Sequence, residues 1–213
     1  MDDHPPAVAA TSRFWFITFT TYGTWLPGDS RGSVSNVYAD DGSIIRHNHR
    51  TEPYDAGDAD RRNAADRHRR HPVVRLSPAQ AIAVLDQFHE TARLKMWVLH
   101  AASVASNHAH LLVEVDGDPD PHRVRATFKS YAARRLNRLF GPCEEWWTDK
   151  GSVRKKPDPP SVYRCVAYVR DQPDAFVTYL SETSEWVRWL PIFESEHSSG
   201  PSKSTPPASP ERE

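Results

Sequence analysis

From residue 13 to 20 aromatic and β-branched side chains alternate so that Trp15, Ile17 and Phe19 fall on one side of an extended chain and Phe14, Phe16 and Thr18 on the other. Neither side is wholly polar, which predicts a central strand. Residues 96–104 read as a second strand. The triplet Ala105-Ser106-Asn107 turns that strand into a third, which begins at His108. There His108, His110, Leu112 and Glu114 share one face, and Ala109, Leu111, Val113 and Val115 share the face that can be buried.

Between the first two strands, Ser77-Pro78-Ala79-Gln80 has the form of a capping box, and Ile82, Leu85, Phe88 and Ala92 give the predicted helix its apolar stripe. A second helix is predicted over 121–140, with Val124, Phe128, Tyr131 and Leu139 toward the core and Gly141-Pro142 as the stop. A weak strand follows near Ser152-Val153. The resulting order is β-α-β-β-α-β, the ferredoxin-like α+β pattern, in which both helices cover one sheet face. Asp158-Pro159-Pro160 then starts a further helix, with Asp as the N-cap and Pro in the first turn. The expected organisation is a mobile leader over 1–11, one domain over 12–194 and a disordered Ser- and Pro-rich tail over 195–213. Residues 27–74 show little periodicity and read as an insertion or loop.

The composition narrows the class. Of 213 residues 38% are hydrophobic and 26% charged, and no apolar run approaches the ~18 residues of a membrane span. The start, Met1-Asp2-Asp3-His4, lacks the basic-then-apolar order of a signal peptide, so the expected compartment is the cytoplasm. The two cysteines, Cys143 and Cys165, form neither a disulfide framework nor a C-x-x-C site and read as reduced. A net charge of −1 argues against a generic nucleic-acid binder. The average conceals local basic runs, however. Arg123, Arg125, Lys129, Arg134, Arg135 and Arg138 lie within 121–143 with no acid, and Arg61, Arg62, Arg67, Arg69, Arg70 and Arg75 lie within 61–75 against Asp66 alone. Such runs either track phosphates or form solvated faces.

Two features carry candidate chemistry. His108 and His110 stand side by side on one strand face, and imidazole is the commonest metal-binding side chain. Zn²⁺ or Ni²⁺ suits imidazole better than Mg²⁺ does, so softness alone leaves the ion open. Glu114 shares the histidine face but lies about 13 Å beyond His110 at strand rise, too far for a direct ligand. On the helix after Asp158, Tyr168 and Gln172 are four apart and share a face. Tyr163 and Tyr131 are rival tyrosines; Tyr163 lies about 140° round the helix from Tyr168, and Tyr131 is on the apolar side of the basic helix.

Taken in order, these pieces resemble the single-tyrosine HUH transposases, which include bacterial insertion-sequence enzymes and REP-associated tyrosine transposases. His108-Ala109-His110 is similar to the family's His-hydrophobic-His, and Tyr168 to Gln172 is similar to its Tyr-x-x-x-Gln helix. The basic run 128–137, the aromatic turn Trp146-Trp147-Thr148-Asp149 and the opening strand with Tyr22-Gly23-Thr24-Trp25-Leu26-Pro27-Gly28 also match in order. The resemblance spans about residues 12 to 182 apart from the insertion.

The resemblance implies metal-dependent cleavage and rejoining of single-stranded DNA at hairpin-bearing ends, through a 5′-phosphotyrosine on Tyr168. His108, His110 and Gln172 would hold Mg²⁺ or Mn²⁺. Arg125, Lys129, Arg134, Arg135 and Arg138 would contact phosphates, and Trp25, Trp146 and Trp147 are candidates for stacking on bases. Some members carry an acid three positions before the first histidine, where this chain has Ala105. A binding protein derived from such an enzyme but without catalysis is the alternative reading, and the sequence leaves a homodimer and a monomer equally open.

Overall fold

The first strand is central because both of its faces are apolar. In the computed structural model, which describes residues 12–30, 37–38, 44–45, 57–149 and 151–197, β1 (Ser12–Thr20) is followed by two short paired strands, β2 (Val37–Tyr38) and β3 (Ile44–Ile45). Then come α1 (Ala59–Arg67), α2 (Pro78–Lys95), β4 (Val98–Ala105), β5 (His108–Asp116), α3 (Pro121–Phe140), β6 (Ser152–Lys156) and α4 (Pro159–Arg170). The chain ends its described course with β7 (Ala175–Leu180), α5 (Glu185–Arg188) and α6 (Leu190–His197). β1, α2, β4, β5, α3 and β6 are the expected β-α-β-β-α-β unit. They form an antiparallel sheet in the order β6-β1-β5-β4, and β7 adds a fifth strand at the β4 edge.

The two sheet faces are covered differently. On one, Trp15, Ile17, Phe19, Leu111 and Val113 pack against Val84 and Phe88 of α2 and Val124, Phe128, Ala132 and Leu136 of α3. On the other, Phe14, Ala101 and Leu112 pack under Val162, Tyr163, Cys165, Val166 and Val169 of α4, with Trp186 and Leu190 closing the side. A bulge in β4 sets His100 and Ala101 together opposite Leu112, so both serve the α4 face.

Both helix starts are as expected. Ser77 and Gln80 make the reciprocal capping box of α2, and Asp158 and Ser161 make that of α4. Two apolar stripes need correction. Ile82 and Leu139 are exposed, because the buried rows run through Ala81, Val84, Phe88 and Ala92 in α2 and through Val124, Phe128, Ala132 and Leu136 in α3. The 27–74 stretch is not all loop, since it contains α1. α6 runs to His197, so the tail expected from residue 195 starts inside a helix. The leader and the rest of the tail lie outside the described residues. Both cysteines are free; burial pushes the Cys165 thiol up to about 12, which leaves it inert at neutral pH. Among the described residues no helix is long and apolar enough to cross a membrane.

Candidate active site

Strand register brings the polar side chains of the α4 face together. β1 and β5 pair so that Thr18 lies opposite His110 and Thr20 opposite His108. Thr18 Oγ1 is 2.8 Å from His110 Nδ1, and His108 Nδ1 is 2.7 Å from Asn107 Oδ1. The Asn107 carbonyl can only accept, so His108 donates from Nδ1. An oriented ring of this kind, held through its other nitrogen, is what metal-ligating histidines require. The two rings meet edge to face at 4.7 Å. Burial, and then the neighbouring His108, holds the His110 pKa down to about 3, so that ring is neutral and keeps a lone pair at physiological pH.

α4 delivers the tyrosine to the same spot. The Tyr168 ring is 5.3 Å from the His110 ring and 5.6 Å from Phe16, edge to face with both, and half of the residue remains exposed. The helix stops at Arg170, and Gln172 lies just beyond it. Gln172 Nε2 donates to the Tyr168 carbonyl at 2.9 Å, satisfying an end-of-helix acceptor. Gln172 also makes a side-chain hydrogen bond to His110. Arg170 fixes this corner, reaching Asp171 at 2.7 Å and Glu194 of α6 at 2.8 Å. One chain therefore assembles His108, His110, Tyr168 and Gln172.

The rival tyrosines are elsewhere. Tyr163 is buried, stacked on Phe193 at 4.7 Å and set against Trp186. Tyr131 lies on α3 beneath the Arg134 guanidinium, across the sheet from the histidines. Glu114 is occupied at 3.0 Å by His100, whose other nitrogen is 2.8 Å from Ser184 Oγ. Among the described residues no group of three or more His, Cys, Asp or Glu side chains could hold a metal ion. The available donor set is thus two imidazoles and one carboxamide oxygen.

The expected DNA contacts fare unevenly. Trp146 and Trp147 are core residues, nearly buried, with indole N–H groups donating to Asn137 Oδ1 and to the Lys129 carbonyl, so neither offers a ring face to a base. Trp25 is 42% exposed. α3 packs on the sheet face away from the histidines, and much of its charge is engaged within the fold. Arg125 donates to the Gly151 carbonyl at 2.6 Å, and Lys129 to the carbonyls of Thr148 and Asp149. Burial, with Arg125 nearby, lowers the Lys129 pKa to about 8. Arg135 pairs with Asp86 and Glu90 of α2 at 3.3 and 3.5 Å. Arg134 and Arg138 are exposed, although Arg134 also donates to Ser130.

The cations that do share the histidine face were missed in the sequence. β6 pairs with β1 so that Arg154 lies opposite Phe16 and Lys156 opposite Phe14. The Lys156 ammonium sits 5.3 Å from the centre of the Phe16 ring, which in turn stacks on His110 at 5.5 Å. The period-2 spacing of Arg154 and Lys156 was a usable signal, had the strand been extended past Val153.

No protein-family model and no curated protein matches this chain. Among solved structures, the chain is similar to a REP-associated tyrosine transposase bound to a REP hairpin. The identity is 12% and the TM-score 0.45, covering 81% of this chain and 73% of that one. A likeness of that size leaves the functional reading to the geometry of the site.

Proposed function

We propose that this protein is a DNA strand transferase in which Tyr168 attacks a phosphodiester of single-stranded, hairpin-flanking DNA. The observation that carries the reading is the meeting, within one chain, of the half-exposed Tyr168 ring with His110 at 5.3 Å, beside a second oriented imidazole at His108. The phenol oxygen forms a bond to phosphorus as the bond from phosphorus to the 3′ oxygen breaks. The DNA is left as a 5′-phosphotyrosine and a 3′-hydroxyl, and the proton lost by the phenol balances the one gained by the leaving oxygen. Rejoining reverses the exchange and needs no nucleotide cofactor.

Two imidazoles and the Gln172 oxygen are chemically suited to a divalent ion, and His108, His110 and Gln172 would hold it, Mg²⁺ or Mn²⁺ by the family resemblance. Such an ion, when bound, supplies positive charge to a phosphate oxygen. The chain's own groups do the rest. Asn107 and Thr18 orient the imidazoles, Phe16 backs both His110 and Tyr168, and Arg154 and Lys156 bring positive charge to the phosphate side. Because histidines and tyrosine come from the same chain, a monomer suffices for the reaction.

The test is a covalent adduct. Incubated with Mn²⁺ and stem–loop DNA from the gene's own flanks, the protein should acquire a nucleotide on the peptide that contains Tyr168, read by mass spectrometry. Tyr168→Phe should abolish the adduct and keep DNA affinity, while Tyr163→Phe should still form it. An adduct on Tyr163 or Tyr131 would overturn the assignment. The second reading, a DNA-binding protein without catalysis, is favoured by one observation: among the described residues no acidic side chain joins the histidines, and buried Ala105 stands where some relatives carry one. It predicts binding with no adduct under any divalent ion.

A further inference from the structure

The basic run at 61–75 is untouched by the chemistry above, and the structure gives it a definite place. α1 contributes no buried residue to the core, so packing does not account for it. It is nevertheless fixed at several points to the end of the sheet where His108 begins. Asp58 N–H donates to the Gly28 carbonyl at 3.0 Å, and Arg70 N–H to the Tyr22 hydroxyl at 3.0 Å. Val74 N–H donates to the Tyr22 carbonyl at 3.0 Å, and Leu76 N–H to the Ser106 carbonyl at 2.7 Å. The Thr21 hydroxyl donates to the Val74 carbonyl at 2.7 Å, while Thr21 N–H donates to the carbonyl of Asn107, the residue that orients His108.

The docking is close. Gly28 has φ +83°, and a Cβ there would lie 2.4 Å from the Asp58 carbonyl oxygen and 2.7 Å from the Arg62 nitrogen. Residues 58–75 hold six arginines against Asp58, Asp60 and Asp66. Asp58 caps α1 and Asp66 pairs with Arg69 at 3.2 Å, whereas Arg62, Arg67, Arg70 and Arg75 are exposed. Arg62 and Arg75, thirteen residues apart, line one cavity of about 160 Å³ with Thr24, Val73 and two acids, Asp29 and Asp66. Trp25, exposed, stands in the loop between them and β1. A merely solvated charge run has no need of such anchoring.

We infer that this strap, α1 and residues 68–75, is the surface that receives the sugar–phosphate backbone of the DNA and leads it to the His108 end of the sheet. The inference rests on the reading that DNA is the partner, and it assigns the main electrostatic contact to the strap rather than to α3. Arginines on two separate segments facing one cavity can grip a phosphate without reading sequence, which positions the strand and leaves selection to other groups.

The test is a salt titration of binding, by fluorescence anisotropy, to the flank-derived stem–loop and to oligo(dT) of equal length. The variant carrying Arg62→Gln, Arg67→Gln, Arg70→Gln and Arg75→Gln should bind both probes roughly tenfold or more weakly at moderate salt. Its salt slope should fall by about 0.7–0.9 for each phosphate that the protein no longer neutralises. Arg134→Gln with Arg138→Gln should weaken binding less. Gly28→Ala, which keeps every charge and disturbs only the docking, should also weaken binding. Unchanged slope and affinity in the quadruple variant would overturn the inference, as would wild-type binding by Gly28→Ala. The outcomes separate the two proposals. If the wild type binds through the strap but never forms a Tyr168 adduct, this surface stands and the transferase reading falls. If the quadruple variant binds like wild type and forms the adduct at full rate, the reverse holds.

Discussion

The two faces of the sheet use similar residues to opposite ends. The face under α2 and α3 is closed: Phe19, Phe88, Phe128 and Trp147 interlock edge to face, and the charged side chains around it, Arg135 and Lys129, are bound to neighbours. The face under α4 is only half covered. Its far end is sealed by Phe14, Trp186 and the His100–Glu114 pair, while its near end leaves Tyr168 half exposed beside His110 and Phe16. A face covered by two helices can be completed by apolar packing alone. One covered mainly by α4, with α5 and α6 closing only its far end, leaves a polar end, and there the Phe16 ring stacks on His110 and meets Tyr168 edge to face.

The widest separation between the faces comes from removing the imidazoles. His108→Ala with His110→Ala should eliminate divalent-ion-dependent cleavage, a loss of several orders of magnitude, while the thermal unfolding midpoint stays within a few degrees. Equal cleavage by this variant, measured on denaturing gels, would take the pair out of the mechanism. The mirror experiment is Phe128→Ala on the closed face. It should cost about 3–5 kcal/mol in denaturant unfolding, and any protein that remains folded should still form the adduct. A cost below about 1 kcal/mol, well under the range for a buried phenyl ring, would mean that this face is not the stabilising one.

A smaller effect tests the sealed end of the open face. The hydrogen bond from His100 holds the Glu114 carboxyl below the usual carboxylate range, against the opposing effect of burial. A depressed folded pKa contributes stability that is present above the unfolded value of about 4.3, and that is lost as pH falls through the folded value. Glu114→Gln should therefore flatten the acid limb of the stability profile below about pH 4 and leave its slope near neutrality unchanged. Parallel acid limbs for the two proteins would refute the assignment.

The least effect is expected from Arg135→Gln. Its ion pairs with Asp86 and Glu90 are partly exposed, so stability should change by no more than about 1 kcal/mol, and the salt dependence of DNA binding should not change. A slope reduced by the amount of a full phosphate contact would return α3 to the DNA interface.

Most of the site was legible in the sequence because its signals are local. Alternation over residues 13–20 and 108–115 determined which side chains share a face, whereas the helix expected to carry both Tyr168 and Gln172 ends at Arg170, and Gln172 reaches Tyr168 from just beyond it. Capping residues marked both well-formed helix starts. The misreadings have physical causes as well. Ile82 and Leu139 are apolar and near the true stripes, and only the packed helix shows which rotation buries more area. Trp147 and Lys129 have the residue types of a DNA surface, yet the fold uses one for its core and the other to hold the loop before β6.

What the sequence determined by itself, then, was the α+β element pattern, the two-sided character of the strands and the candidate trio of His108, His110 and Tyr168. Tertiary structure alone decided that Thr18 meets His110 from 92 residues away, that the Tyr168 ring lies beside the His110 ring, and that the arginines of 61–75 sit at the His108 end while those of α3 lie across the sheet. Periodicity reports on neighbours a few positions apart. Which distant segments meet depends on strand register and helix docking, whose energies are shared among many residues and written at no single one.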